Sequence, residues 1–293
     1  MRIEPNNTGL GARVHEVDLR RSLSAEEFRQ VLRALGEYGV LCFPGQDLDA
    51  PQLASFGRCF GELEVNVANM FHAPGLPEVM ILSNKRDDAG KPLGLNDAGQ
   101  GWHTDMSYST EIALANALHA KEVPLRDGRP LGDTQFRNMH AAYEDLPAEV
   151  KQRLEGRVAI HDFQKFWDMM RIRPGSIRAP LTPEQRAKKP PVRQPIFRAH
   201  PITGRRILYC NPGYAMHIEG MEPAESEAML DYLFRHQSQA KYLHNHVWTP
   251  GDLLMWDNIG TTHNAKADYA PEEPRFILRV QVMASLDYAA LAA

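Results

Sequence analysis

The chain has little cysteine. Cys42, Cys59 and Cys210 are odd in number and far apart in 293 residues. That pattern excludes a disulfide framework, offers no close Cys pair of the zinc-finger kind, and suits a reduced, cytoplasmic setting. No apolar run reaches 18 residues, so no membrane span is expected. The opening M-R-I-E-P-N-N-T-G-L-G holds no apolar signal-peptide core. Basic charge is not in excess: 33 Lys and Arg face 37 Asp and Glu, a net charge of -4, which argues against a nucleic-acid partner. Neither a G-x-G-x-x-G nor a P-loop occurs, and strand–helix alternation of the dinucleotide-binding kind is missing. Internal repeats and low-complexity blocks are absent as well.

What is present is ordinary for a globular protein, with 43% hydrophobic and 24% charged residues and length enough for a sizeable core. Ser24-Ala25-Glu26-Glu27 followed by Phe28, Val31 and Leu32 reads as a capped helix that Gly39 ends. Val40-Leu41-Cys42-Phe43 reads as a short buried strand stopped by Pro44-Gly45. Further strands are expected at 79–83, 113–123, 206–211, 253–256 and 276–284. Helices are expected at 51–60, at 139–154 with a break near Pro147, and at 223–236. From about 165 to 206 the chain is rich in Lys, Arg and Pro and reads as irregular, with 165–195 a lid insertion. Many short strands with few helices point to a mainly β fold with flanking helices, a sandwich or jelly roll, in one domain spanning 1–293.

The stretch G-W-H-T-D-M-S-Y-S, residues 101–109, carries the chemistry. In a strand His103 and Asp105 would point to one face. A His and a carboxylate on one face are two of the three ligands of the facial triad that holds non-haem Fe(II). An H-x-D pair alone is weak, and a surface strand explains it equally well. A second His is needed, and His263 has fitting surroundings, just after the strand ending at Trp256. Arg275, Ile277, Arg279 and Gln281 share one strand face, while Phe276, Leu278, Val280 and Val282 make the other wholly apolar. Two guanidiniums at even spacing could grip a carboxylate bidentately or simply face water.

Taken in order, W-H-T-D, Gly132-Asp133-Thr134, Trp256-Asp257-Asn258 with His263, and Arg275 with Arg279 resemble the TauD/TfdA family of Fe(II)- and 2-oxoglutarate-dependent dioxygenases. The resemblance runs from Gly9-Leu10-Gly11-Ala12 through Phe43-Pro44-Gly45-Gln46 and Phe60-Gly61-Glu62-Leu63 to the Arg strand. It implies a double-stranded β-helix (jelly-roll, cupin-like) core. It implies catalytic Fe(II) held by His103, Asp105 and His263, with O₂ and the co-substrate 2-oxoglutarate. Arg275 and Thr134 would hold the far carboxylate of 2-oxoglutarate. Arg279 would lie at the mouth, for the prime substrate's anionic group or the near carboxylate. The implied reaction hydroxylates a C–H bond of a small carboxylate or sulfonate and releases succinate and CO₂. Family members are commonly homo-oligomers, so a dimer or tetramer is expected.

Departures from the family pattern bear on substrate. The stretch from Asp105 to Thr134 is a few residues long, with Leu125 to Pro130 resembling a small turn insertion. Where taurine-type members place a sulfonate-binding His, this chain has Asn66, which weakens a taurine assignment. Tyr108, Trp167 and Asn211 are further candidates to line the substrate site. His72 and His217 read as lone histidines outside the metal site. His244 and His246 repeat the H-x-H spacing but read as lining a strand surface. A zinc hydrolase would leave Thr134 and Arg275 without a role. The alternative of another class is a non-catalytic jelly-roll small-molecule binding protein, against which the intact triad argues.

Overall fold

The structure, a computed structural model, describes every residue except 8, 66–70 and 174–177. Two sheets face one another. The major sheet runs in the order Arg2–Pro5, Ala12–His15, Val40–Phe43, Leu253–Asp257, Ala113–Glu122, Phe276–Met283, Leu76–Ser83, His72–Ala73. Neighbours are antiparallel save for the parallel pair Ala12–His15 and Val40–Phe43. The minor sheet is Leu243–His246, Thr134–Asn138, Thr261–Ala265, all antiparallel.

Side-chain alternation explains why these segments are strands. In Val40–Phe43 every residue is buried, but to two different places. Leu41 and Phe43 join the core that also receives Val31, Leu32 and Leu35 of one helix and Leu53 and Phe56 of another. Val40 and Cys42 join a smaller core with Leu118, Leu254 and Ile277 of the major sheet and Phe136 of the minor one. The Phe276–Met283 strand divides alike: Leu278, Val280 and Val282 pack on the helix side and Ile277 faces the minor sheet. This is the jelly-roll layout, a closed sandwich with helices on its outer face.

The capped helix is Ala25–Tyr38. Ser24 and Glu27 form a reciprocal capping box, and Gly39 ends the helix at a φ of 67° that a side chain would strain. The second helix is Ala50–Arg58, and the expected break near Pro147 divides Met139–Glu144 from Ala148–Leu154. Leu125–Arg126 and Arg129–Pro130 form a two-residue hairpin whose Asp127 and Gly128 both have positive φ, as a type I′ turn needs.

Three sequence expectations require correction. The stretch 165–206 is not irregular: it holds helices Phe163–Arg171 and Pro183–Ala187 and strands Val192–Pro195 and Phe197–Ala199. Asp162 caps the first helix by accepting from the Gln164 amide, and Thr182 forms a capping box for the second with Pro183 in its first turn. Prolines that suggested irregularity thus sit where helices and edge strands tolerate them. His103 and Asp105 do not share a strand: His103 makes an isolated bridge to His263 and Asp105 lies in a turn followed by Met106 at φ 59°. His246 is buried rather than on a strand surface, because its ring packs edge-on to Trp248 at 4.7 Å and faces Asp252.

Candidate metal and co-substrate site

His263 stands in the Thr261–Ala265 strand, and the backbones of His103 and His263 exchange two hydrogen bonds, at 3.1 and 2.9 Å. That bridge adds His103 to the minor sheet's edge and brings the two imidazoles to 4.3 Å between centroids. Asp105 Oδ1 lies 3.3 Å from His103 Nε2, and Oδ2 lies 3.6 Å from His263 Nε2. One donor atom from each of the three falls within 4.8 Å of the others. His103 Nδ1 donates to the Gly101 carbonyl at 2.6 Å, which leaves the Nε2 lone pair directed at Asp105.

Electrostatics keep these groups in metal-binding form. Burial would push the Asp105 carboxyl up, but Arg279 and then the two imidazoles outweigh it and hold it well below the usual carboxylate range. Burial, then the neighbouring His103, push His263 down to about 3 against the pull of Asp105, so its imidazole is neutral.

A second set of contacts fixes where the ligands sit. The Asn258 amide clamps the Asp105 backbone: Oδ1 accepts from Asp105 N at 3.0 Å and Nδ2 donates to Asp105 O at 2.8 Å. Thr104 Oγ1 donates to the Thr261 carbonyl at 3.2 Å. Gly213 lies so close to the triad that a Cβ there would stand 2.8 Å from His103 Cβ.

The two arginines differ in their partners. Arg279 Nη2 donates to Asp105 Oδ2 at 2.8 Å and to Asn116 Oδ1 at 2.8 Å, so its guanidinium lies against the triad. Arg275 is 6% exposed. Its backbone is pinned by Asn84 Oδ1 and by the Ser83 hydroxyl, and its side chain meets Tyr269. Burial pulls its pKa below the ordinary guanidinium value, against the Tyr269 phenol, and no carboxylate among the described residues pairs with it. Thr134 is buried, and its hydroxyl accepts from Trp248 Nε1 at 3.1 Å.

Aromatic rings form a wall beside His103. Phe166 packs at 4.7 Å and Tyr214 at 6.3 Å from its ring. Tyr108 lies 4.8 Å from both Phe163 and Tyr214, and Trp167 5.9 Å from Phe163. Trp167 also donates to the Ala179 carbonyl and lies under the Arg178 guanidinium. Asn211 is turned inward, its amide spent on Ser107 Oγ and the Tyr214 amide. Asn66 lies outside the described residues.

Sequence reasoning passed over Asn116, Trp248 and Tyr214, and offered Phe166 only as an alternative to Trp167 for lining the pocket. Asn116 did leave a signal, as an amide within the otherwise apolar Ala113–Leu118 run. The others reach the site from distant segments and leave none.

The family model for "Taurine catabolism dioxygenase TauD, TfdA family" matches residues 2–281. The alpha-ketoglutarate-dependent 2,4-dichlorophenoxyacetate dioxygenase of Cupriavidus pinatubonensis is 34% identical over 87% of this chain and 88% of its own length. The pentalenolactone F synthase of Streptomyces arenae is 30% identical over 92% and 91%. The crystal structure of AAD-2 in complex with Mn(II) and N-oxalylglycine superposes with a TM-score of 0.80 at 28% identity, over 98% of each chain. The chain therefore belongs to the TauD/TfdA family and is an alpha-ketoglutarate-dependent dioxygenase, an enzyme that uses Fe(II), 2-oxoglutarate and O₂.

Proposed function

We propose that His103, Asp105 and His263 hold the Fe(II), that Arg275 and Thr134 hold the far carboxylate of 2-oxoglutarate, and that the enzyme hydroxylates a C–H bond of a small aryl-bearing acid with release of succinate and CO₂. The observation that carries the reading is the convergence of two neutral-capable imidazoles and one ionised carboxylate. Ligands about 2.1 Å from a shared ion and adjacent around it lie about 3 Å apart, close to the 3.3 and 3.6 Å observed. The donor set of two nitrogens and one oxygen suits Fe(II). Bound there, the iron would supply activation of O₂ coupled to oxidative decarboxylation of 2-oxoglutarate.

The remaining work falls to the chain. Arg275 is a buried cation without an acid, an arrangement that costs stability until an anion arrives. The dicarboxylate co-substrate supplies one, and Thr134 retains a hydroxyl hydrogen to donate to it. Arg279 holds the Asp105 carboxylate ionised and oriented. The aromatic wall excludes water and suits a flat ring. An aryloxyalkanoate-like acid fits that wall, and two relatives are named for 2,4-dichlorophenoxyacetate and for (S)-phenoxypropionate. The 1–293 chain works as one unit in this reading, with the 165–195 segment covering the site through Phe166 on His103 and the Arg178–Asp97 ion pair.

The test is O₂ consumption and succinate formation by purified protein with Fe(II), 2-oxoglutarate and a panel of aryloxy acids, sulfonates and N-substituted amino acids. At least one acid is expected to stimulate both, and His263→Ala to abolish them. Binding of an acid without turnover across the whole panel would favour the binding-protein alternative.

A further inference from the structure

We propose that Cys42, His246 and Asp252 form a second metal site, for Zn²⁺ or a similar divalent transition ion, in a cleft on the side of the sandwich formed by strands Ala12–His15, Val40–Phe43 and Leu243–His246. One donor atom from each of the three lies within 4.8 Å of the others. All three are buried, at 5%, 6% and 2% exposure. Three separate segments deliver them. Cys42 faces inward from its strand, level with Leu254 of the neighbouring strand. His246 ends the minor sheet's edge strand, opposite Thr134. Asp252 precedes the Leu253–Asp257 strand, held by a backbone bond from Ala120 N to its carbonyl and by the Thr249 amide on its Oδ2, at 2.9 Å each.

The chemistry of the cluster asks for a cation. His246 Nε2 is buried, stands 3.4 Å from Asp252 Oδ2, and makes no hydrogen bond with any of the described residues. A buried nitrogen left this way costs free energy, which a metal bond would remove. The Cys42 sulfur lies beside the Asp252 carboxylate, within 4.8 Å of it. A divalent ion would offset both anions. As the sulfur–metal bond forms, the thiol proton leaves to solvent. A sulfur, an imidazole nitrogen and a carboxylate oxygen are a Zn²⁺ donor set, unlike the all-oxygen sets of Mg²⁺ and Ca²⁺.

An entry path exists. An open cleft of about 210 Å³ is lined by Cys42 and His246 together with His244, Asn245, Asn6 and Arg13. His244 lies two residues before His246 on the same strand face and lines the same cleft. The fourth coordination position therefore opens onto the cleft, with His244 beside it.

Sulfur separates this site from the iron triad, which has none. Titration of the full chain with Co²⁺ is expected to give a thiolate-to-cobalt charge-transfer band in the near ultraviolet. That band should saturate, be displaced by Zn²⁺, and vanish in Cys42→Ser, since Co²⁺ taken up by the iron triad adds no thiolate band. His246→Gln keeps the thiol, and it should weaken the binding behind the band at least tenfold. It replaces Cys42→Ser if that variant does not fold. Absence of the band in the unaltered chain overturns the proposal. So does its persistence in Cys42→Ser, which would move the sulfur to Cys59 or Cys210, and so does undiminished affinity in His246→Gln.

Discussion

Arg275 and Arg279 stand four residues apart, yet their surroundings give them different tasks. Arg279 spends its charge on Asp105 and Asn116. Arg275 has a buried guanidinium with no carboxylate among the described residues. Truncating one member of a buried charge pair costs about 2–4 kcal/mol. Arg275→Ala is therefore expected to raise the KM for 2-oxoglutarate by roughly that equivalent while Fe(II) affinity stays near that of the unaltered chain. Parallel steady-state kinetics and anaerobic metal titration check both, and an unchanged KM removes Arg275 from the co-substrate role. At this scale the motif residues were legible unevenly: His103, Asp105, His263 and both arginines drew notice by type and spacing, and Thr134 entered only through the resemblance to a family. Asn258 appeared only as a member of W-D-N, and nothing along the chain said that its amide would grip Asp105.

The turn between the Leu253–Asp257 and Thr261–Ala265 strands is the element that orders the triad. Asp257 accepts from the Ile259 and Gly260 amides and pairs with His200 at 3.0 Å. A Cβ on Gly260 would stand 2.1 Å from the Asp257 carboxylate, so only glycine fits there. One residue of the turn, Asn258, holds Asp105, while the strand after it carries His263. Outer-shell partners of metal ligands are worth about 10–100-fold in affinity. Asn258→Ala should weaken Fe(II) or Mn(II) binding by that factor, read by anaerobic calorimetry. Retained affinity would mean that Asp105 finds its place without the clamp. Strands and capped helices were readable beforehand because local periodicity and caps specify them. The Phe163–Arg171 helix was not, since its basic residues, neighbouring prolines and mostly half-buried face mask the pattern.

Over the whole molecule, the residues proposed to hold iron and the arginines belong to opposite halves of the sandwich. His263 and Thr134 are on the minor sheet, while Arg275 and Arg279 lie at and within the major sheet's Phe276–Met283 strand. Iron and co-substrate bound between them should staple the sheets together. A ligand at 100 times its Kd stabilises the folded state by about 2.7 kcal/mol. Anaerobic Fe(II) plus 2-oxoglutarate should therefore raise Tm by several degrees, and His263→Ala should lose most of that rise. An equal rise in the variant would place the ligands elsewhere. No helix among the described residues is long and apolar enough to cross a membrane.

The sequence by itself determined the β-rich sandwich, the capped helices around it and the residues with the chemistry of an Fe(II) and 2-oxoglutarate enzyme. The sandwich and the helices follow from local spacing, which caps, turns and alternating burial impose over a few residues; the candidate site residues follow from the ordered motifs that resemble a family. Only the tertiary structure decided that His103 reaches His263 through a backbone bridge rather than a shared strand with Asp105. It alone closed Phe166 over the imidazole, and it alone brought Cys42, His246 and Asp252 to one cleft. Such contacts join segments far apart along the chain, and they are selected by sheet pairing and packing of the whole chain, which no short window of residues encodes.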